Sequence, residues 1–138
     1  HAVMHEGMAR AEASQAAALK ALGARAPAQD RLRTLVRHHF EVLLGEGSDF
    51  IPVMLFEWRS LDATQQQDVR AVKDAYEGVW MPVLRALHRA GRLKARPEVA
   101  RLFIFGALNW SVQWFSDRGA LSLDDLTAQA LLLFTEQA

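Results

Sequence analysis

The amino-acid sequence predicts an all-α protein of about six helices packed as an antiparallel bundle. Apolar residues recur at three- and four-residue spacing along most of the chain, and no useful length alternates with a period of two. Glycine and proline separate these periodic stretches. The length of 138 residues suits one domain, so we expect residues 1–138 to form a single helical unit.

The composition excludes several classes of function. The formal net charge is zero, so neither a nucleic acid nor an anionic membrane surface is the expected partner of this chain. Cysteine is absent, which removes disulfides, thiolate metal sites and thiol nucleophiles. No apolar run is long enough to span a bilayer, because Asn109, Ser111 and Gln113 interrupt the best candidate. We therefore expect a cytoplasmic protein without a membrane partner.

The first part of the chain predicts two long helices. Residues Val3–Leu22 are rich in alanine, carry apolar residues at helical spacing, and are followed by a break that begins at Gly23. Pro27 suits the first turn of the second helix, because its missing N–H would have no partner there. The apolar stripe of that helix covers Leu32–Leu44.

Two further helices are predicted in the middle of the chain. Ser48 or Asp49 can cap a short third helix that runs through Phe50 to Leu61. Asp62 or Thr64 can cap the fourth. All four candidates have side-chain oxygens that can accept from the free N–H groups of a first helical turn.

The fourth helix contains a proline before it ends at Gly91. Pro82 has no N–H, so the carbonyl of Gly78 loses its usual helical donor. We therefore expect a kink between Gly78 and Pro82.

The fifth and sixth helices are more apolar than surface helices normally are. Pro97 opens the fifth, which includes the segment Phe103–Phe115, FIFGALNWSVQWF. Ser122 opens the sixth, and Asp125 stands at the spacing of a capping box. A helix that is apolar on every side needs partners on every side, so this pattern predicts a second subunit, a bound apolar ligand, or both.

The tryptophan-rich fifth helix has two apolar sides when its residues are placed at about 100° per position. We expect one side to join the last helix in a homodimer interface, because one small core cannot cover all of these side chains. The expected interface residues are Ile104, Leu108, Val112, Phe115, Leu126, Leu133 and Phe134.

Aromatic residues from three predicted helices form a candidate ligand site, beside the space that the proline kink would open. Asn109 and Gln113 are its candidate polar contacts, and Gln113 also suits a position facing the partner subunit. Each aromatic residue taken alone also suits the core. The expected ligand-binding residues are Trp58, Tyr76, Trp80, Phe103, Asn109, Trp110, Gln113 and Trp114.

No motif of an enzyme active site is present. The sequence has no G-x-S-x-G, no Gly-rich phosphate loop, no H-E-x-x-H and no C-x-x-C. His38 and His39 are adjacent and so point about 100° apart on a helix, which prevents both from facing one metal ion. We predict that the chain is not an enzyme and needs no metal or cofactor.

Four segments carry a family resemblance: AYEGVW at Ala75–Trp80, AGRL at Ala90–Leu93, GALNWSVQWF at Gly106–Phe115 and DRGALSLDDL at Asp117–Leu126. They resemble the C-terminal ligand-sensing and dimerisation domain of TetR-type bacterial transcriptional regulators. The likeness spans nearly the whole chain and points to the branch that often responds to acyl-CoA or related apolar effectors.

The resemblance implies a regulatory function. A small apolar or acyl-CoA-like effector would shift the dimer geometry and so the operator affinity of a helix-turn-helix domain, as in a repressor. The last two helices, Pro97–Phe115 and Ser122–Gln137, would pair with their symmetry mates as a four-helix bundle.

DNA contact is expected only through a separate N-terminal domain. No segment of this chain has the pattern of a helix-turn-helix with a basic recognition helix. A helical dimerisation module without a functional ligand pocket is the alternative function.

Overall fold

The computed structural model confirms the all-α class. It describes residues 2–45, 58–116 and 119–136, with side chains from residue 5 onwards. These residues contain six α-helical segments and no strand. The segments are α1 (Ala2–Leu22), α2 (Ala28–Leu44), α3 (Ala63–Gly78), α4 (Trp80–Arg89), α5 (Pro97–Trp110) and α6 (Leu123–Phe134).

Helix α2 lies at the centre of the bundle. It packs against α1, α4, α5 and α6, so four other helices share its buried surface. Its apolar stripe is the one predicted from the sequence and is buried at Leu32, Leu35, Val36, His39, Phe40 and Leu43. The imidazole of His39 is therefore held in the middle of the core.

Helices α3 and α4 form one interrupted helix. The interruption falls at Val79, within the kink expected between Gly78 and Pro82. Asp62 is the N-cap of α3, and its side chain accepts from the backbone N–H of Gln65 at 2.8 Å. The Gln65 side chain in turn accepts from the backbone N–H of Asp62, which completes a capping box.

The predicted third helix lies mostly outside the described residues. Ser48 and Asp49, its candidate caps, belong to the part that is not described. The described end of it is a 3-10 helix at Trp58–Ser60 rather than a full α-helical turn.

Helix α5 ends at Trp110, earlier than the sequence pattern predicted. A 3-10 helix covers Ser111–Gln113, because the chain tightens at the end of α5. There the hydroxyl of Ser111 donates to the carbonyl of Leu108 at 2.6 Å, which satisfies one of the free carbonyls at the helix end.

Helix α6 begins as predicted, with Ser122 and Asp125 forming a capping box. It ends at Phe134, before the predicted end at Gln137, which lies outside the described residues. At that end Thr135 donates its hydroxyl to the carbonyl of Leu131 at 2.8 Å. No helix in the described ranges combines the length and apolarity needed to cross a bilayer.

Candidate functional site

Four aromatic rings from four helices meet in the core of the bundle. They belong to His39 of α2, Tyr76 of α3, Trp80 of α4 and Phe105 of α5, and we call them the aromatic cluster. The ring centroids of Trp80 and Phe105 are 4.5 Å apart, and those of His39 and Phe105 are 5.2 Å apart. All four residues are buried, so the cluster joins these helices by direct packing.

A chain of hydrogen bonds crosses this cluster. The Tyr76 hydroxyl lies 2.8 Å from Nδ1 of His39, and Nε2 of His39 lies 2.8 Å from Oδ1 of Asn109. An amide oxygen only accepts, so Nε2 of His39 carries the proton and donates to Asn109. Nδ1 is then the acceptor for the Tyr76 hydroxyl, which fixes the tautomer of the ring.

The protonation states of this chain are set by burial. Burial lowers the pKa of His39 to about 4, and the bond to Asn109 only partly opposes that shift. Burial also raises the pKa of the Tyr76 phenol above its usual range. Both side chains are therefore neutral at pH 7, as a donor–acceptor chain of this kind requires.

The third polar residue of this chain, Asn109, is half-buried and lies at the end of the chain of hydrogen bonds. Its Oδ1 is occupied by His39, and its Nδ2 makes no hydrogen bond to another described residue. An amide nitrogen carries two donors, so Asn109 presents an oriented donor beside the aromatic cluster.

Gln15 of α1 supplies a buried polar contact that the sequence analysis did not single out. Its Nε2 donates to the backbone carbonyl of Tyr76 at 2.9 Å, and its Oε1 accepts from the indole of Trp80 at 2.7 Å. Gln15 follows the buried residues Met8 and Ala11 at helical spacing, and this spacing was the available signal.

The eight predicted ligand-binding residues do not converge on one pocket. Tyr76, Trp80 and Asn109 come together in the core, as described above. Trp58 is half-buried, packs against the core and lies under the guanidinium of Arg70, 5.5 Å from its ring centroid. The other four lie at exposed positions: Phe103, Trp110, Gln113 and Trp114.

The predicted interface residues also differ in how far they are buried. Ile104 and Leu108 are each only 2% exposed, so they fill the core of the chain rather than a subunit boundary. Leu126 is buried as well, and Leu133 is the one member that is largely exposed, at 81%. Val112, Phe115 and Phe134 are half-buried.

The two sides of α5 are therefore oriented opposite to the expectation. Both sides are apolar, and the side with Ile104, Phe105 and Leu108 is the one that packs on the bundle. The other side carries Phe103, exposed at 72%, and Trp110, exposed at 65%.

The exposed apolar side chains of α5, of the following turn and of α6 make up what we call the outer apolar face. Trp114 is exposed at 54%, Leu102 at 62% and Leu132 at 58%. Single chains rarely expose so many large apolar side chains on elements that follow one another in the sequence. The members of the face are Leu102, Phe103, Trp110, Trp114, Leu132 and Leu133.

A buried carboxylate links α3 to α5. Glu77 lies 3.4 Å from the ammonium of Lys73 and 3.2 Å from the guanidinium of Arg101. Burial raises the pKa of Glu77, although the two cations oppose that shift. Among the described residues, no three His, Asp or Glu side chains cluster as a metal site would require.

The chain belongs to the family of tetracyclin repressor-like C-terminal domains, whose sequence pattern matches residues 25–138. This confirms the TetR resemblance carried by the four segments. Members of this family are parts of transcriptional regulators, which are not enzymes.

Several solved structures are similar to this chain. The superantigen PfiT is 30% identical, with 99% of this chain and 73% of that chain covered and a TM-score of 0.80. The TetR family regulator PfmR from Thermus thermophilus is 21% identical. The match covers 95% of this chain and 72% of PfmR, with a TM-score of 0.74.

AibR, solved with isovaleryl coenzyme A and operator DNA, is 18% identical. The match covers 95% of this chain and 72% of AibR, with a TM-score of 0.75. At that identity AibR and PfmR share the fold with this chain. No match to the sequence is found among curated proteins.

Proposed function

We propose that this chain is the effector-binding and dimerisation domain of a TetR-type transcriptional regulator. The observation that carries the proposal is the outer apolar face on α5 and α6, in a chain of this family. The regulator would act in the cytoplasm as a homodimer, and its DNA contacts would come from a helix-turn-helix domain that is separate from residues 1–138.

The dimer forms through the outer apolar face. Trp110 and Leu133 are its most informative members, because a tryptophan exposed at 65% and a leucine exposed at 81% gain most from being covered. A stable dimer should bury about 1,200 to 2,000 Å² in total. Gln113, exposed beside Trp114, is then a contact to the partner subunit rather than to the effector.

The effector binds beside the aromatic cluster. Asn109 supplies an oriented donor, Tyr76 and His39 hold that donor in place, and the half-buried Trp58 is the candidate apolar surface. An acyl group fits this combination, because it offers a carbonyl acceptor and an apolar tail. The isovaleryl coenzyme A bound by AibR, a structural neighbour, has the same chemistry.

Effector binding is coupled to dimer geometry through α5. Asn109 contacts the interior of the bundle, and the next residue, Trp110, belongs to the outer apolar face. An effector that accepts a hydrogen bond from Asn109 therefore acts on the helical turn that also contacts the partner subunit. Operator affinity changes to the extent that the effector prefers one dimer arrangement.

The test combines sedimentation equilibrium with thermal unfolding in a series of isovaleryl-CoA concentrations, with coenzyme A alone as the control. We expect a dimer at micromolar protein, and a melting temperature that rises with the concentration of the acyl-CoA but not of coenzyme A. A dimer with no response to isovaleryl-CoA or to longer acyl-CoAs would favour the alternative, a dimerisation module without a functional pocket. A monomer at micromolar concentration would contradict the proposed interface.

A further inference from the structure

A recess lies beside the interrupted helix, at the start of α4. It runs between the end of α1, the connection to α2, the first turn of α2 and the beginning of α4, and it has a volume of about 450 Å³. We call it the Arg31 groove. None of the predicted effector-binding residues lines it. Its lining includes Ala24, Ala28, Arg31, Val79, Pro82 and Ala86.

The groove exists because its walls are built from small or short side chains. Alanines line the connection side, and Ala86 lines the α4 side. Pro82 and Val79 come from the interruption of the α3–α4 helix, where the chain departs from a continuous helix. A surface recess with such short walls leaves room for a small ligand.

Arg31 is the one charged side chain in the groove lining. Its Nη1 donates to the carbonyl of Gly23 at 3.2 Å, which fixes the guanidinium beside the groove. Within the described residues no carboxylate lies at ion-pair distance from it, and the side chain is half-buried. A half-buried guanidinium with free donors is a strong site for a carboxylate.

The position of Arg31 in its helix is not explained by helix stability. It lies in the first turns of α2, where the partial positive charge of the helix end disfavours a cation. The neighbouring Asp30 has the charge that suits this end. Its bond to the Gly23 carbonyl, just past the C-terminal end of α1 where a cation is favoured, uses one of its five N–H donors.

We propose that the Arg31 groove binds an aliphatic carboxylate of medium length. The carboxylate accepts hydrogen bonds from the Arg31 guanidinium, and the hydrocarbon tail lies along the alanine, valine and proline surface. The volume of the groove falls within the usual range for small-ligand sites, about 300 to 1,000 Å³. This site is separate from the proposed effector site and does not require it.

Two-dimensional ¹H–¹⁵N NMR of the whole chain tests the proposal with three probes: sodium octanoate, 1-octanol and sodium acetate. Octanoate should give saturable shifts at Ala24, Arg31 and Ala86. Octanol lacks the charge and should bind about tenfold more weakly, and acetate lacks the tail and should give no saturable shift. Equal binding of octanol and octanoate, or octanoate shifts confined to other residues, would overturn the proposal.

Two variants then separate the contribution of the Arg31 charge from that of the groove volume. Arg31→Gln should weaken octanoate binding about tenfold while leaving octanol binding unchanged, because only the charge-assisted bonds are lost. Ala86→Leu should weaken both ligands by filling the groove. Arg33→Gln is the matched control, since Arg33 is exposed on the same helix and outside the groove lining.

The outcome is independent of the proposed effector. Arg31→Gln should leave the response to isovaleryl-CoA and the dimer unchanged. Octanoate binding without any acyl-CoA response would support the groove and count against the effector site, and the reverse result would do the opposite. Octanoate affinity equal in wild type and Arg31→Gln would remove the guanidinium from the site.

Discussion

The indole of Trp80 donates a 2.7 Å hydrogen bond to the side chain of Gln15, which precedes it by 65 residues in the chain. The same Gln15 amide donates to the backbone carbonyl of Tyr76, on the other side of the helix interruption. One side chain of α1 therefore satisfies two buried polar groups where α3 gives way to α4. Because buried polar groups are costly without partners, this bridge makes the interruption compatible with a packed core.

Removing the bridge should destabilise the fold. Gln15→Leu keeps the size of the side chain but leaves the Tyr76 carbonyl and the Trp80 indole without partners. We expect the free energy of unfolding to fall by about 2 to 6 kcal/mol, since each of the two unpaired buried groups costs about 1 to 3 kcal/mol. Urea unfolding measures it, with the exposed Gln67→Leu as the control. Equal stability of the two variants would show that the bridge contributes nothing.

His39 should make stability depend on pH. Its pKa is lowered from 6.5 to about 4 by burial, so the unfolded chain binds more protons than the folded chain between these values. The free energy of unfolding should therefore fall as the pH drops from about 7 towards 4, by on the order of 3 kcal/mol from this residue.

The His39→Gln variant isolates that contribution. The difference in urea stability between wild type and His39→Gln should shrink as the pH falls from about 7 to about 4.5. Glu77, whose pKa burial raises, is common to both proteins and cancels in the difference. A pH-independent difference for His39→Gln would contradict the buried, neutral imidazole.

The outer apolar face should tolerate a charge in a monomer but not in a dimer. Leu133→Lys introduces a cation near the C-terminal end of α6, where the helix dipole favours it, so the fold should remain intact. We expect the dimer dissociation constant to rise at least about tenfold, as for a hot-spot residue. Sedimentation velocity measures this. Leu22→Lys, at the corresponding end of α1, should leave the dimer unchanged.

Pro82 should be the cause of the helix interruption. Pro82→Ala restores an N–H that can donate to the Gly78 carbonyl, so the new amide at position 82 should be protected from hydrogen exchange. The side chain of Pro82 is exposed, so no core cavity results. Pro27→Ala, at the N-cap of α2, is the control because that proline interrupts no helix. Rapid exchange of the new amide in a folded protein would mean that packing around Trp80, and not the proline, maintains the break.

Effector affinity is a separate readout of the same variant. Straightening the helix should move Tyr76 relative to Trp80 and so weaken any ligand held beside them. Stability can change in either direction, because a gained backbone hydrogen bond competes with disturbed packing. An unchanged affinity for an identified effector would make the kink incidental to the site.

The amino-acid sequence by itself determined most of the helices, two of their caps and the interruption. Asp62 and Ser122 are caps because each is followed by a suitable partner three residues later, and Pro82 breaks a helix because it lacks a donor. Such effects act within one or two helical turns, so a short stretch of residues is enough to predict them. The two apolar sides of α5 could be predicted for the same reason, since helical periodicity fixes which residues share a side.

Only the tertiary structure decided which side of α5 faces inward. Periodicity gives Ile104 and Phe103 different sides, but when both sides are apolar the choice depends on which one fits the bundle. The hydrogen-bond partners of Gln15 and His39 could not be predicted either. Trp80 and Asn109 are far away in the sequence and meet them only after the helices pack. Long-range polar pairing follows from the arrangement of the helices, and no local pattern encodes it.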